Sequence, residues 1–219
     1  KDREIIEEVK NVTDYHEVKT MSREDAIAAG LYQVIGKEID DAYMAELKKQ
    51  IIHPEIIKEV ADDIKIVYSP FNGTGNVPVR RILSELGFKN VYVVPEQEMP
   101  DPDFTTLDYP NPEDPKAFTL ALRLAKEKNA DIVLATDPDA DRLGIYALDT
   151  KSGEYIPFTG NMSGMLIAEY ILRERTSTGR MPENPALVTT IVTTNMAGAI
   201  ARDYNVKFIE VLTGFKFIG

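Results

Sequence analysis

The chain has 219 residues, with 36 acidic against 25 basic side chains for a net charge of −11, and it contains neither cysteine nor tryptophan. That balance argues against a surface built to coat nucleic-acid phosphates or an anionic membrane, and the missing cysteine removes disulfides, thiolate metal sites and cysteine nucleophiles. No apolar run approaches the roughly 18 residues of a membrane span, and Lys1-Asp2-Arg3-Glu4 is too charged for a signal peptide. A cytoplasmic chain without nucleic-acid or membrane partners is expected. Because it starts without methionine and stops just after a motif-like stretch, it reads as a piece of something longer.

Residues 1–40 are polar and helical in character and read as a connector. Tyr43, Met44, Leu47 and Ile51 then fall at helical spacing, and His53-Pro54 interrupts that helix and starts a second. A strand is predicted at 64–68, a glycine turn at 72–75, a helix at 77–86 closed by Gly87, and a strand at 91–94, which together make a βαβ unit. Residues 96–114 hold four prolines, seven carboxylates and no basic residue, and read as a long surface loop. Beyond it come a helix opened by Pro115, with Phe118, Ala121, Leu122 and Ala125 on one face, and strands at 132–135 and 143–148. The polar break 149–154 is taken as a domain boundary. The pattern restarts with a helix at 161–173, a strand at 186–192, a helix at 197–202 and a strand at 206–211. Alternating strands and helices on both sides of the break predict two tandem three-layer α/β domains with mostly parallel mixed sheets, at 41–150 and 151–219.

The most informative residues are Asp137, Asp139 and Asp141, which follow the apolar strand 132–135 at every second position. Three crowded carboxylates repel one another unless a cation neutralises them, and all-oxygen ligation with few protein donors suits Mg²⁺. Arg142 beside them could hold a phosphate that also touches the metal. A solvated acidic turn is the plain alternative. An EF-hand fails, because its glycine and glutamate positions are Arg142 and Leu148. An aspartyl-phosphate phosphatase with Asp137 as nucleophile stays open as a second reading. Asn72-Gly73-Thr74-Gly75 could face an anion or could merely start a helix; a dinucleotide fingerprint is excluded because Pro78 stands where its third glycine belongs. No serine lies in a nucleophile elbow or beside a histidine, and His16 and His53 read as structural or solvent-facing.

The run Ala135-Thr136-Asp137-Pro138-Asp139-Ala140-Asp141-Arg142-Leu143-Gly144 resembles the magnesium loop of the α-D-phosphohexomutases, the phosphoglucomutase and phosphomannomutase superfamily. Pro70 to Gly75 resembles the family's glycine turn, Pro100 to Phe104 with Asn111-Pro112-Glu113 its acidic Pro-rich loop, and Leu212-Thr213-Gly214-Phe215-Lys216 its sugar-contacting loop. Residues 24–60 are most similar to bacterial phosphoglucomutases of the type related to phosphopentomutase. The resemblance implies an isomerase of four domains, of which this chain is the second and most of the third. Missing would be the first domain, with a phosphorylated serine in a Ser-His-Asn-Pro context, and the fourth, which clamps the substrate phosphate. It implies that Asp137, Asp139 and Asp141 hold Mg²⁺, that Arg142 contacts the phosphoserine, and that Thr213, Gly214 and Lys216 contact the sugar. The implied partners are hexose phosphate, hexose bisphosphate and the two missing domains. The implied reaction interconverts glucose 1-phosphate and glucose 6-phosphate through a bisphosphate, with phosphomannomutase or phosphopentomutase activity as the alternative, and the isolated piece is expected to be inactive. Thr105 departs from the family pattern, which often has proline there.

Overall fold

The computed structural model describes residues 2–219, which form two compact units, one ending at Tyr43 and one of residues 44–219. The first unit holds α1 (Asp2–Asn11), α2 (Arg23–Ala28) and the start of α3 (Lys37–Lys48). Its helices are kept by local devices: Arg3 pairs with Glu7 one turn on, and Ser22 caps α2 by accepting the Asp25 N–H at 3.0 Å.

In the second unit, α4 (Pro54–Val60) begins at the proline, whose missing N–H costs nothing in a first turn. Strand β1 (Lys65–Ser69), helix α5 (Asn76–Glu85) and β2 (Asn90–Val93) make the expected βαβ unit, with β1 and β2 parallel. Helix α5 closes in a Schellman motif. Gly87, at φ +97°, donates to the Ser84 carbonyl and Phe88 to that of Leu83. Helix α6 (Thr119–Lys128) follows a single 3₁₀ turn at Pro115–Phe118 and ends on Asn129 in the left-handed conformation. Strands β3 (Ile132–Thr136), β4 (Leu143–Asp149) and β5 (Glu154–Phe158) complete a five-stranded sheet of order β2-β1-β3-β4-β5. The pairings on β1 are parallel, whereas β3 with β4 and β4 with β5 run antiparallel.

The polar break 149–154 is the turn of the β4–β5 hairpin, closed by the Gly153 N–H on the Asp149 carbonyl at 2.7 Å, and β5 extends the same sheet beyond it. The loop 96–114 is not wholly superficial. Gln97 is fully buried and accepts the Ser69 hydroxyl at 2.7 Å, and Leu107 joins the core formed by Val67, Phe71, Phe118, Val133 and Tyr146. Thr105, at the position where proline was expected, donates both its N–H and its hydroxyl to Asp101, at 2.8 and 2.6 Å. Those bonds hold the Asp101 carboxyl below its ordinary range. Proline could supply neither donor.

Beyond β5, α7 (Gly160–Ser177) starts at once, capped by Thr159 accepting the Met162 N–H. Strands β6 (Ala186–Thr190) and β7 (Lys207–Val211) pair in parallel around α8 (Met196–Asp203), and α9 (Phe215–Ile218) is a single turn. A second core, of Met165, Leu172, Ala197, Ile200, Ala201 and Val206, joins α7, α8 and this sheet.

His53 ties α4 to α7. Its ring contacts Glu55 at 2.7 Å and Glu174 at 2.9 Å, and Tyr170 meets its edge. The Glu174 bond first, then that of Glu55, lifts the imidazole pKa above its ordinary value, while the same bond lowers Glu174. A raised histidine contributes stability below its unfolded pKa of about 6.5 and loses it as pH climbs through the higher folded value. A lowered glutamate contributes above its ordinary value and loses that contribution as pH falls through the lower folded one. The difference in melting temperature between wild type and His53→Gln should therefore be largest near pH 5–6 and shrink by pH 8. An equal difference at both pH values would show that charge plays no part in the bridge.

Candidate metal centre

Strand β3 ends where β1 ends, because the two are parallel neighbours with Ser69 opposite Ala135. Near these ends the strands are joined across the sheet by the Tyr68 and Thr136 hydroxyls, 2.8 Å apart and buried. Burial pushes the Tyr68 phenol upward, so it stays a neutral donor or acceptor. From that fixed edge the chain leaves the sheet as Asp137-Pro138-Asp139-Ala140-Asp141-Arg142 and returns as β4.

The loop folds on itself through three contacts. The Ala140 N–H donates to the Asp137 carbonyl at 3.0 Å, with Ala140 itself at φ +59°. The Arg142 N–H donates to Asp137 Oδ1 at 2.9 Å. The Arg142 guanidinium Nε stands 3.6 Å from Asp137 and 3.7 Å from Asp141. As a result one carboxylate oxygen from each of Asp137, Asp139 and Asp141 lies within 4.8 Å of the others, as the sequence spacing predicts. Asp137 is only 7% exposed, whereas Asp139 and Asp141 are exposed. Asp137 Oδ2 faces the Arg142 Nε at 3.6 Å.

This donor set fits a hard divalent ion. It is all oxygen, its anchor carboxylate is buried, and two exposed partners leave room for water or a phosphate. The same three charges without a cation would repel, so the exposed pair gains most from neutralisation.

Arg142 also lines a cleft of about 810 Å³, with Glu113, Tyr146, Thr159, Asn161 and Met165. That volume is in the range of small-molecule pockets, about 300–1,000 Å³. The side chain of Arg142 is half exposed. Thr213, Gly214 and Lys216 lie on the exposed turn after β7; among the described residues no hydrogen bond or ion pair joins them to the aspartates. Lys216 rests over the Phe217 ring at 5.0 Å. Tyr68 and the contact of the turn 72–75 with the loop carry no motif of their own; the parallel pairing of β1 and β3 is the signal for both.

The family model for phosphoglucomutase/phosphomannomutase α/β/α domain II matches residues 41–150, and that for α/β/α domain III matches 159–219. A protein of Haemophilus influenzae named as a probable phosphomannomutase is 34% identical over 188 residues, which cover 86% of this chain and 36% of that one. A phosphoglucomutase of Staphylococcus aureus strain N315 is 36% identical over 182 residues, or 83% of this chain and 31% of the other. The chain thus spans about a third of the length of the curated relatives it matches. Among solved structures, a candidate phosphomannomutase from Thermus thermophilus superposes with a TM-score of 0.60 at 20% identity, over 81% of this chain and 37% of that one, a likeness of fold.

Proposed function

The chain belongs to the phosphoglucomutase/phosphomannomutase family, and on that footing we propose that it supplies the metal loop and sugar-contacting loop of a phosphoglucomutase. The observation that carries this reading is the convergence of three carboxylates within 4.8 Å at the end of β3. Asp137, Asp139 and Asp141 would hold Mg²⁺, which when bound supplies positive charge beside a phosphoryl group in transit. Asp137 is the fixed member, because burial and the Arg142 amide set its direction. Arg142 offers a planar fork to a phosphate at the mouth of the adjoining cleft.

In the intact enzyme the reaction interconverts glucose 1-phosphate and glucose 6-phosphate. A phosphoserine ester bond breaks and its phosphoryl group joins the free sugar hydroxyl, which releases its proton. The bisphosphate turns over and its other phosphoryl group returns to the serine. Neither a Ser-His-Asn-Pro serine nor the phosphate clamp is in this sequence, so hexose phosphate, hexose bisphosphate and the domains carrying those groups are its proposed partners. Thr213, Gly214 and Lys216 are assigned to the sugar hydroxyls. The first domain of this pair is taken to run through β5, because that strand completes its sheet, and the second to begin with α7. Phosphorylated sugar substrates suit a cytoplasmic setting, and among the described residues no helix is long and apolar enough to cross a membrane.

The test is a coupled mutase assay on the enzyme carrying these residues together with its phosphoserine domain. Asp139→Asn should lower turnover on the order of a hundredfold or more, as loss of a group stabilising transition-state charge does. Turnover unchanged by that substitution would refute the metal assignment. Faster conversion of mannose 1-phosphate than of glucose 1-phosphate would reassign the sugar.

A further inference from the structure

Behind the aspartate loop lies the turn 72–75. Thr74 donates twice to one acceptor, its N–H at 2.8 Å and its hydroxyl at 3.1 Å from the Pro138 carbonyl oxygen. Pro138 stands between two of the three aspartates. It has no N–H and its φ is fixed by the ring, so its carbonyl is the handle by which its peptide can be held. A Cβ on Gly73 would stand 2.3 Å from the Pro138 Cα and 2.5 Å from its carbonyl oxygen. One on Gly75 would stand 2.5 Å from the Thr136 hydroxyl and 2.6 Å from that of Tyr68. Neither glycine is among the residues at positive φ, so what demands glycine here is close approach and not conformational freedom. The turn also starts α5, whose N-cap is Gly75, but the Thr74 hydroxyl donates away from that helix, to Pro138.

We propose that Thr74 is a positioning residue for the metal loop, seated by Gly73 and Gly75, and that it sets the Pro138–Asp139 peptide so that Asp139 and Asp141 converge on Asp137. The idea rests on the metal reading above for its purpose, but the contact itself does not depend on it. Thr74 is exposed, so changing it opens no core cavity and leaves the melting temperature nearly unmoved.

Two readouts on the full 219-residue chain decide the matter. The first is Mn²⁺ affinity, followed by electron paramagnetic resonance. The second, without metal, is deuterium exchange of the Arg142 amide, which bonds Asp137, against that of Val67 in the core. Thr74→Val should weaken Mn²⁺ binding about tenfold, the lower end of what lost partners of a ligand shell cost, and should speed exchange at Arg142 but not at Val67. Thr74→Ser should restore both, and Gly73→Ala should exceed Thr74→Val in both. If wild type and variants bind Mn²⁺ alike and exchange alike, the positioning role is overturned while the metal reading stands. If wild type binds no Mn²⁺ and exchange still responds at Arg142, the metal reading falls and the positioning role stands.

Discussion

Replacing Phe118 with alanine should destabilise the sheet unit by about 3–5 kcal/mol, the range for large aromatic deletions from a closed core. Phe118 is fully buried and is the middle of an aromatic chain, edge-on to Phe71 at 5.7 Å and tilted against Tyr146 at 4.6 Å. The cavity cannot collapse easily. Gly144 already brings β4 so near that a Cβ there would stand 2.6 Å from the Phe118 ring, and the Pro112 backbone and ring close the same side. Denaturant unfolding followed by far-ultraviolet circular dichroism gives the number, and a loss under about 1 kcal/mol would mean that the site relaxes around the void. Phe71 adds a reason for a long reach. It sits at φ +46° and Asn72 at +60°, conformations that cost of order 1–3 kcal/mol each unless surroundings over-determine them. Phe118 is one of the groups that hold Phe71 there, so its loss should also loosen the turn that backs the aspartate loop.

The second large effect concerns magnesium. An ion that binds only the folded chain stabilises it by about 2.7 kcal/mol at a hundred times its dissociation constant. Wild type should therefore melt at a higher temperature as Mg²⁺ is added, and Asp137→Asn should abolish that rise. The substitution is nearly isosteric, and the amide oxygen can still accept the Arg142 N–H, so packing is preserved. What disappears is one of three negative charges within 4.8 Å. Without metal the variant trades one fewer like charge in the cluster against the lost 3.6 Å pair with Arg142, so its stability should stay close to that of wild type. An undiminished magnesium-induced rise in the variant would remove Asp137 from the ligand set.

The aspartate cluster was legible because everything that makes it is local: an apolar run ends, and carboxylates follow at a spacing that lets one short loop gather them. The alternation of strands and helices was legible for a similar reason, since each element carries its own periodicity. Strand β5 was not, because Pro157 breaks the usual strand signal, yet an outer strand tolerates proline since one side of it needs no partner. Contacts between distant positions were equally hidden. Thr74 meets Pro138 across 64 residues and His53 meets Glu174 across 121, and nothing in composition marks either partner. The pairing of β1 with β3 makes the first contact inevitable once seen, since parallel neighbours deliver their following loops to one end of the sheet. Thr213, Gly214 and Lys216 stand differently: motif alone selects them, and the bond Gly214 accepts from the Phe217 N–H serves the turn itself.

The β4–β5 hairpin bears on how this chain resists self-association. A chain ended at residue 150, where composition suggests a natural cut, would keep β4 but strip away the strand that covers it, baring the main-chain donors and acceptors that now pair with 154–158. A bare inner strand with Ile145 and Tyr146 on it is a template for another copy of itself. Carried through Phe158, the same sheet instead ends on a short strand interrupted by Pro157, which cannot donate to an incoming chain. The five residues of β5 thus guard the sheet that precedes them.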